Sequence, residues 1–263
     1  MGSTPASGRR ERDGDRDVKP AGRTTNDALF GGALLLAQPE RGEGYRVNVD
    51  ALLLAREALL GPQATGAVDL GAGVGAVGLS LLLGGAGRVA LVERDPWMAA
   101  LARVNAAPFG PRASVIEAPV EELGALEPAD LVVCNPPFTP PGRGPAPPEA
   151  RRSGARHGET APFLQAAARL LSEAGRACFI YPAGELEALL EALAPAGLAL
   201  EALRAVHPSP RSAARVVIAQ LALATAARRA LGRPARCLSP WFERDERGQP
   251  ERGLAAFVAG ATL

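Results

Sequence analysis

Two kinds of apolar segment alternate along this chain. Short runs such as GAVDL (66–70), RVALVE (88–93), ASVIE (113–117), DLVVC (130–134) and RACFIYP (176–182) are dense in Val, Ile, Leu and Ala. Glycine, proline or charge bounds each one, which is how strands buried on both faces read. Between them lie GLSLLLGG (78–85), PWMAALARVNAA (96–107), APFLQAAARLLSEAG (161–175) and AGELEALLEALAPAG (183–197). These read as helices, the second with Pro96 in its first turn and the third ending on Gly175. LALEALRAV (198–206) and ARVVIAQLAL (214–223) add two further strands. Repeated strand–helix alternation predicts an α/β fold, a Rossmann-like doubly wound and mostly parallel sheet.

Ahead of this pattern, DALFGGALLLAQPERGEGYRVNV (27–49) predicts two short strands around a Pro/Gly turn, and Asp50 is expected to open a helix that Gly61-Pro62 ends. Residues 1–23 have almost no aliphatic content and predict a disordered arm with mixed charge. One domain is expected over 24–225. The Arg/Pro-rich remainder, 226–263, reads as an extension packed on it with little capacity to build core.

With 263 residues, 47% apolar content and a net charge of +1, the chain is neither a disordered polymer nor a uniformly basic one. Lys19 is its only lysine, so nearly all positive charge is arginine, a residue suited to bidentate phosphate contacts. Cys134, Cys178 and Cys237 match no metal-binding spacing and predict reduced thiols in a cytoplasmic protein without a metal. The polar N-terminus does not read as a secretory signal, and no apolar run reaches the roughly 18 residues of a membrane span. A monomer with no membrane partner is expected.

Chemistry concentrates at the ends of the predicted strands. The first strand-to-helix turn, VDLGAGVGAVGLS (68–80), satisfies both GxGxG from Gly71 and GxGxxG from Gly73. The strand ends at Leu70, and the first glycine belongs directly off the strand, so the register from Gly71 is favoured. Such glycines let backbone approach a ligand closely, and Asp69 is a candidate acid for a cationic amine. Glu93, at the end of the next strand, is placed to accept hydrogen bonds from a ribose diol. Together these features indicate an adenosine-containing ligand, either NAD or S-adenosylmethionine.

The fourth strand stops on Asn135-Pro136-Pro137-Phe138. Two prolines cannot continue a central strand, and the residue before a proline is held extended. The Asn135 side-chain carbonyl and the Pro136 backbone carbonyl then form a rigid pair of acceptors for an NH₂ group, and Phe138 offers a face for a planar group to stack on. Accepting both N–H bonds favours a pyramidal nitrogen whose lone pair points outward, toward a methyl donor.

This motif resembles that of the class I S-adenosylmethionine-dependent methyltransferases that modify exocyclic or amide nitrogens. The chain is most similar to the bacterial valine-tRNA adenine-N6 methyltransferase family. The stretches that carry the resemblance are DALFGGALLLAQPERGEGYRVNVDALLLA, VDLGAGVGAVGLSLL, DLVVCNPPF, RHGETAPFLQAAARLL and PRSAARVVIAQL. The resemblance implies a class I methyltransferase sheet with an antiparallel last strand, S-adenosylmethionine as cofactor, and RNA, tRNA foremost, as substrate. Asn135, Pro136, Pro137 and Phe138 become the candidate catalytic residues. Asp69, Gly71, Ala72, Gly73, Gly75, Glu93, Arg94, Glu117 and Asn135 become the candidate cofactor contacts. Pro119 stands where such enzymes often carry an acid near the adenine amine, so either Glu117 or Glu121 substitutes or backbone alone reads that part of the cofactor.

The loop TPPGRGPAPPEARRSGARHGE (139–159) supplies Arg143, Arg151, Arg152, Arg156 and His157, and Arg211 and Arg215 flank the last strand at its start. All seven are candidate RNA contacts, the arginines through phosphate. The chief rival is a ribosomal RNA methyltransferase acting on guanine N2 or adenine N6. A protein-glutamine methyltransferase, an NAD oxidoreductase and a non-catalytic cofactor-binding module also remain as readings.

Overall fold

The computed structural model describes residues 22–136, 155–229 and 234–261, with backbone alone at 155–159 and 227–229. The arm expected over 1–23 therefore lies almost wholly outside the described residues.

The chain opens with a hairpin, β1 (Thr24–Leu29) paired antiparallel with β2 (Leu34–Pro39). Its turn is not the Pro39–Gly44 stretch that the sequence suggested. Phe30, Gly31 and Gly32 take φ of +54°, +63° and +97° in succession, and this left-handed run reverses the chain. Helix α1 (Val49–Leu59) follows, capped by Asn48 rather than opened by Asp50: Asn48 Oδ1 accepts the N–H groups of Asp50 and Ala51 at 3.0 and 3.3 Å.

Strand and helix then alternate through β3 (Gly66–Leu70), α2 (Ala76–Leu83), β4 (Arg88–Glu93), α3 (Pro96–Ala106), β5 (Ala113–Glu117) and β6 (Ala129–Cys134). Asp95 caps α3, with Pro96 in its first turn as expected. The second half comprises α4 (Ala155–Leu170), β7 (Leu171–Pro182), α5 (Leu186–Leu193), β8 (Leu198–His207), β9 (Val216–Leu223) and α6 (Ala224–Arg229). Two-residue strands β10 (Arg236–Cys237) and β11 (Trp241–Phe242) precede α7 (Arg252–Val258).

The main sheet runs β10-β8-β9-β7-β6-β3-β4-β5, with β11 also on β8. Neighbours from β5 to β7 are parallel, and β9 inserts antiparallel between β7 and β8, the mostly parallel α/β arrangement with a reversed last strand. Each central strand feeds two cores by alternation. Ala67, Leu131, Val133, Cys178 and Ile180 face the core that α1, α2 and α3 share, whereas Val68, Leu70, Val132, Cys134 and Phe179 face the α4–α5 core.

Two further expectations change. The helix predicted to end at Gly175 stops at Leu170, because Leu171 pairs with Ala129 at the start of β7. Gly175 marks an irregularity in that pairing: a Cβ there would lie 2.6 Å from the Ala129 carbonyl oxygen. The C-terminal extension does build core. Phe257 is 2% exposed and meets Phe30 edge-on, with ring centroids 5.2 Å apart, and Leu254 is buried beside it. The Trp241 ring lies against the guanidinium groups of Arg56 and Arg204 at 4.3 and 4.4 Å. Arg204 in turn pairs with the buried carboxylate of Glu57, which also accepts from Gln220, so that internal charge is fully hydrogen-bonded.

Candidate active site

Pairing of Leu70 with Cys134 and with Val92 brings three strand ends together. Gly71, Glu93 and Asn135 are the next residue on each strand, so the glycine turn, the acid and the Asn-Pro motif stand side by side at the carboxyl edge of the sheet. In doubly wound folds this edge is where ligands bind.

The glycine turn requires its glycines. Gly71, Gly73 and Gly75 take φ of +69°, +57° and +90°. A Cβ on Gly75 would also stand 2.9 Å from the Leu91 side chain, and one on Gly71 would stand 3.2 Å from the Phe163 ring. Glu93 holds the turn: its Oε2 accepts the Gly73 N–H and its Oε1 the Asp95 N–H, both at 2.8 Å. The carboxylate thus arrives at the cavity in a fixed orientation, with further lone pairs to accept from a ligand.

A cavity of about 550 Å³ opens in front of these groups, a size typical of small-molecule sites. Its walls include Tyr45, Asn48, Gly71, Gly73, Arg94, Met98, Val120, Asn135, Pro136 and Phe163. Among the described residues, Glu43, Asp50, Glu93, Asp95 and Glu121 add carboxylates and Arg94 a guanidinium, with Asp50 paired to Arg215 and Glu43 to Arg23. Such a wall suits a cationic ligand, and exposed glycine backbone with a preset acid at the end of β4 suits its adenosine portion.

Several expected contacts lie elsewhere. Asp69 is 2% exposed and does not line the cavity: its Oδ2 accepts the Gly78 N–H at 2.8 Å, tying β3 to α2. Burial pushes its carboxyl up to about 7, against the pull of that hydrogen bond, with the charge of Glu93 adding to the rise. A group so enclosed cannot reach a ligand's amine, which corrects the role read for it. Glu117 turns away to Arg103 on α3, at 2.9 Å, while Glu121 faces the cavity in its stead. Ala72 and Gly75 shape the turn without lining the cavity; the Ala72 N–H goes to the Val92 carbonyl.

Arg215 is not free to grip phosphate. Its guanidinium is held by Asp50 and Glu243, each at 2.5 Å, and the two carboxylates neutralise it. Arg211 is exposed, on the connection between β8 and β9 at the same edge of the sheet as Asn135. Pro137, Phe138, Arg143, Arg151 and Arg152 lie outside the described residues, and only the backbone of Arg156 and His157 is described, in α4.

Tyr45 and Phe163 were not singled out from the sequence. Asn135 Nδ2 donates a hydrogen bond to Tyr45 Oη at 3.2 Å across 90 residues of chain. Desolvation at its hydroxyl end, then the nearby Asp50 charge, raise its pKa against the hydrogen bond from Asn135, so the hydroxyl is neutral. The available signal was the aromatic in GEGYRVNV, set just before the α1 cap. Phe163 carries the signal of an aromatic on α4 facing a glycine.

Residues 48–182 match the family model described as methyltransferase small domain. Among curated proteins, the chain is 31% identical over 175 residues to a tRNA1(Val) (adenine(37)-N6)-methyltransferase of Pedobacter heparinus, covering 64% of this chain and 73% of that one. It is also 31% identical over 148 residues to the protein of that name in Shewanella sp. (strain MR-4), covering 53% of this chain and 61% of the relative. The chain thus spans under two thirds of the Shewanella relative's length. Among solved structures, a T. thermophilus 16S rRNA N2 methyltransferase in complex with AdoMet and guanosine superposes with a TM-score of 0.52 at 22% identity, over 76% of this chain and 50% of that one, a likeness of fold.

Proposed function

The chain belongs to the methyltransferase small domain family, and on that premise we propose that it methylates an exocyclic amine of a nucleobase in RNA, with adenine N6 in tRNA as the target and S-adenosylmethionine as the methyl donor. One observation carries the reading: Asn135 and Pro136 line the same cavity as the glycine turn and Glu93. The acceptor pair for an amine and the wall for an adenosine ligand therefore share one space. The names of the Pedobacter and Shewanella relatives favour adenine in tRNA.

S-adenosylmethionine, when bound, supplies an electrophilic methyl carbon. Gly71 and Gly73 offer it backbone, Glu93 accepts from its ribose hydroxyls, and the remaining cavity carboxylates suit its positive charge. A dinucleotide's anionic pyrophosphate would meet that same acidic wall at a disadvantage, which speaks against the oxidoreductase reading. Asn135 Oδ1 and the Pro136 carbonyl accept the two N–H bonds of the target amine. They thereby localise its lone pair and stabilise the charge that develops on nitrogen. The methylated nitrogen is acidic and loses its proton to water, so no general base has to act before transfer.

The identifying experiment supplies radiolabelled donor and separate pools of tRNA, ribosomal RNA, DNA and protein, followed by digestion to nucleosides or amino acids. Label is expected in N6-methyladenosine from the tRNA pool. Label in N2-methylguanosine from ribosomal RNA would transfer the assignment to the rival reading. Label confined to protein glutamine would overturn nucleobase methylation.

A further inference from the structure

We infer that Tyr45 is a positioning residue for Asn135, anchoring its side-chain amide at the cavity wall through Nδ2 so that Oδ1 is left to meet the incoming amine. This rests on the proposed role of Asn135 as an acceptor. An asparagine side chain can be turned over to exchange its carbonyl oxygen for its NH₂ at little steric cost, and only hydrogen-bond partners distinguish the two orientations. For amine methylation one orientation is productive. The other sets two N–H donors against two N–H donors.

In the observed orientation Asn135 Nδ2 is directed at Tyr45 Oη, at 3.2 Å, which frees Oδ1 for a ligand. Asn48, on the same cavity wall, has its oxygen committed to the N–H groups of Asp50 and Ala51 at the start of α1. The Tyr45 ring extends over the glycine turn, where a Cβ on Gly73 would be 4.0 Å from Tyr45 Cδ1. Asp50 behind it is buried and ion-paired with Arg215. Although Tyr45 is 56% exposed, its polar end stands where the cofactor wall and the catalytic motif meet.

Tyr45→Phe keeps the ring over the glycine turn and removes only the acceptor. In nitrogen-15-labelled protein without ligands, the Asn135 side-chain NH₂ signals are expected to shift on this change. Turnover at saturating RNA should fall about tenfold, the scale of one neutral hydrogen bond. The KM for RNA, the cofactor Kd measured by calorimetry and the melting temperature should stay within about twofold, because ring packing is retained. An unchanged kcat, or a loss carried wholly by KM or cofactor Kd, would overturn the inference. Asn135→Ala separates this from failure of the underlying reading. If that variant loses turnover while Tyr45→Phe retains it, only the positioning role falls; if Asn135→Ala itself turns over normally, the acceptor role falls first.

Discussion

Replacing Asn135 with alanine should lower kcat by about 10²- to 10³-fold, the range seen when one group that stabilises transition-state charge is removed. The substitution takes away one of two acceptors for the target amine, so nitrogen keeps its lone pair delocalised into the base and presents it poorly to the methyl carbon. Cofactor affinity should stay within a few-fold, because the glycine turn and Glu93 are held by their own bonds: Gly73 N–H to Glu93, and Ala72 N–H to Val92. Single-turnover kinetics at saturating donor, paired with calorimetry of donor binding, read the two quantities separately. Normal turnover by this variant would remove Asn135 from the mechanism. A parallel collapse of donor affinity would make it a binding residue instead.

Glu93→Ala should act in the opposite sense, on binding before chemistry. Glu93 accepts from Gly73 and Asp95 and faces the cavity. Its loss removes the expected ribose acceptor and leaves the Gly73 amide without its partner. Hydrogen bonds to a charged group are worth roughly 1.5–3 kcal/mol each, so donor affinity should weaken by about tenfold to a hundredfold. Glu93→Gln restores an acceptor oxygen but not the charge and should fall between. Calorimetry with S-adenosylhomocysteine measures this without turnover; unchanged affinity in Glu93→Ala would contradict the ribose contact.

The doubly wound sheet was legible because its strands are unbroken apolar runs with ligand-type residues at their ends, and a parallel sheet buried on both faces demands both features. Gly71, Glu93 and Asn135 were legible for the same reason, as Glu93 ends a strand and the other two directly follow one. Other features depend on direction or on distance along the chain. Asp69 lies on β3 with Ala67, on the face toward α2, and strand parity alone would have placed it away from an open site. LLSEAG continues a helical apolar spacing, yet Leu171 leaves the helix because pairing with Ala129 extends the sheet. Leu254 and Phe257 are two apolar residues in a short, otherwise unremarkable helix, and their burial depends on Phe30, more than 220 residues earlier. Arg215 looked like a phosphate contact until Asp50 and Glu243 proved to hold it. The bond from Tyr45 to Asn135 spans 90 residues and appears only once the chain is folded.

A structure of the protein with S-adenosylhomocysteine and adenosine tests the central claim most directly. The account predicts the thioether sulfur in the cavity between Gly71 and Asn135, with the adenosine N6 about 3 Å from both Asn135 Oδ1 and the Pro136 carbonyl oxygen. A homocysteine moiety lodged away from the glycine turn, or a nucleobase amine that meets neither oxygen, would contradict it.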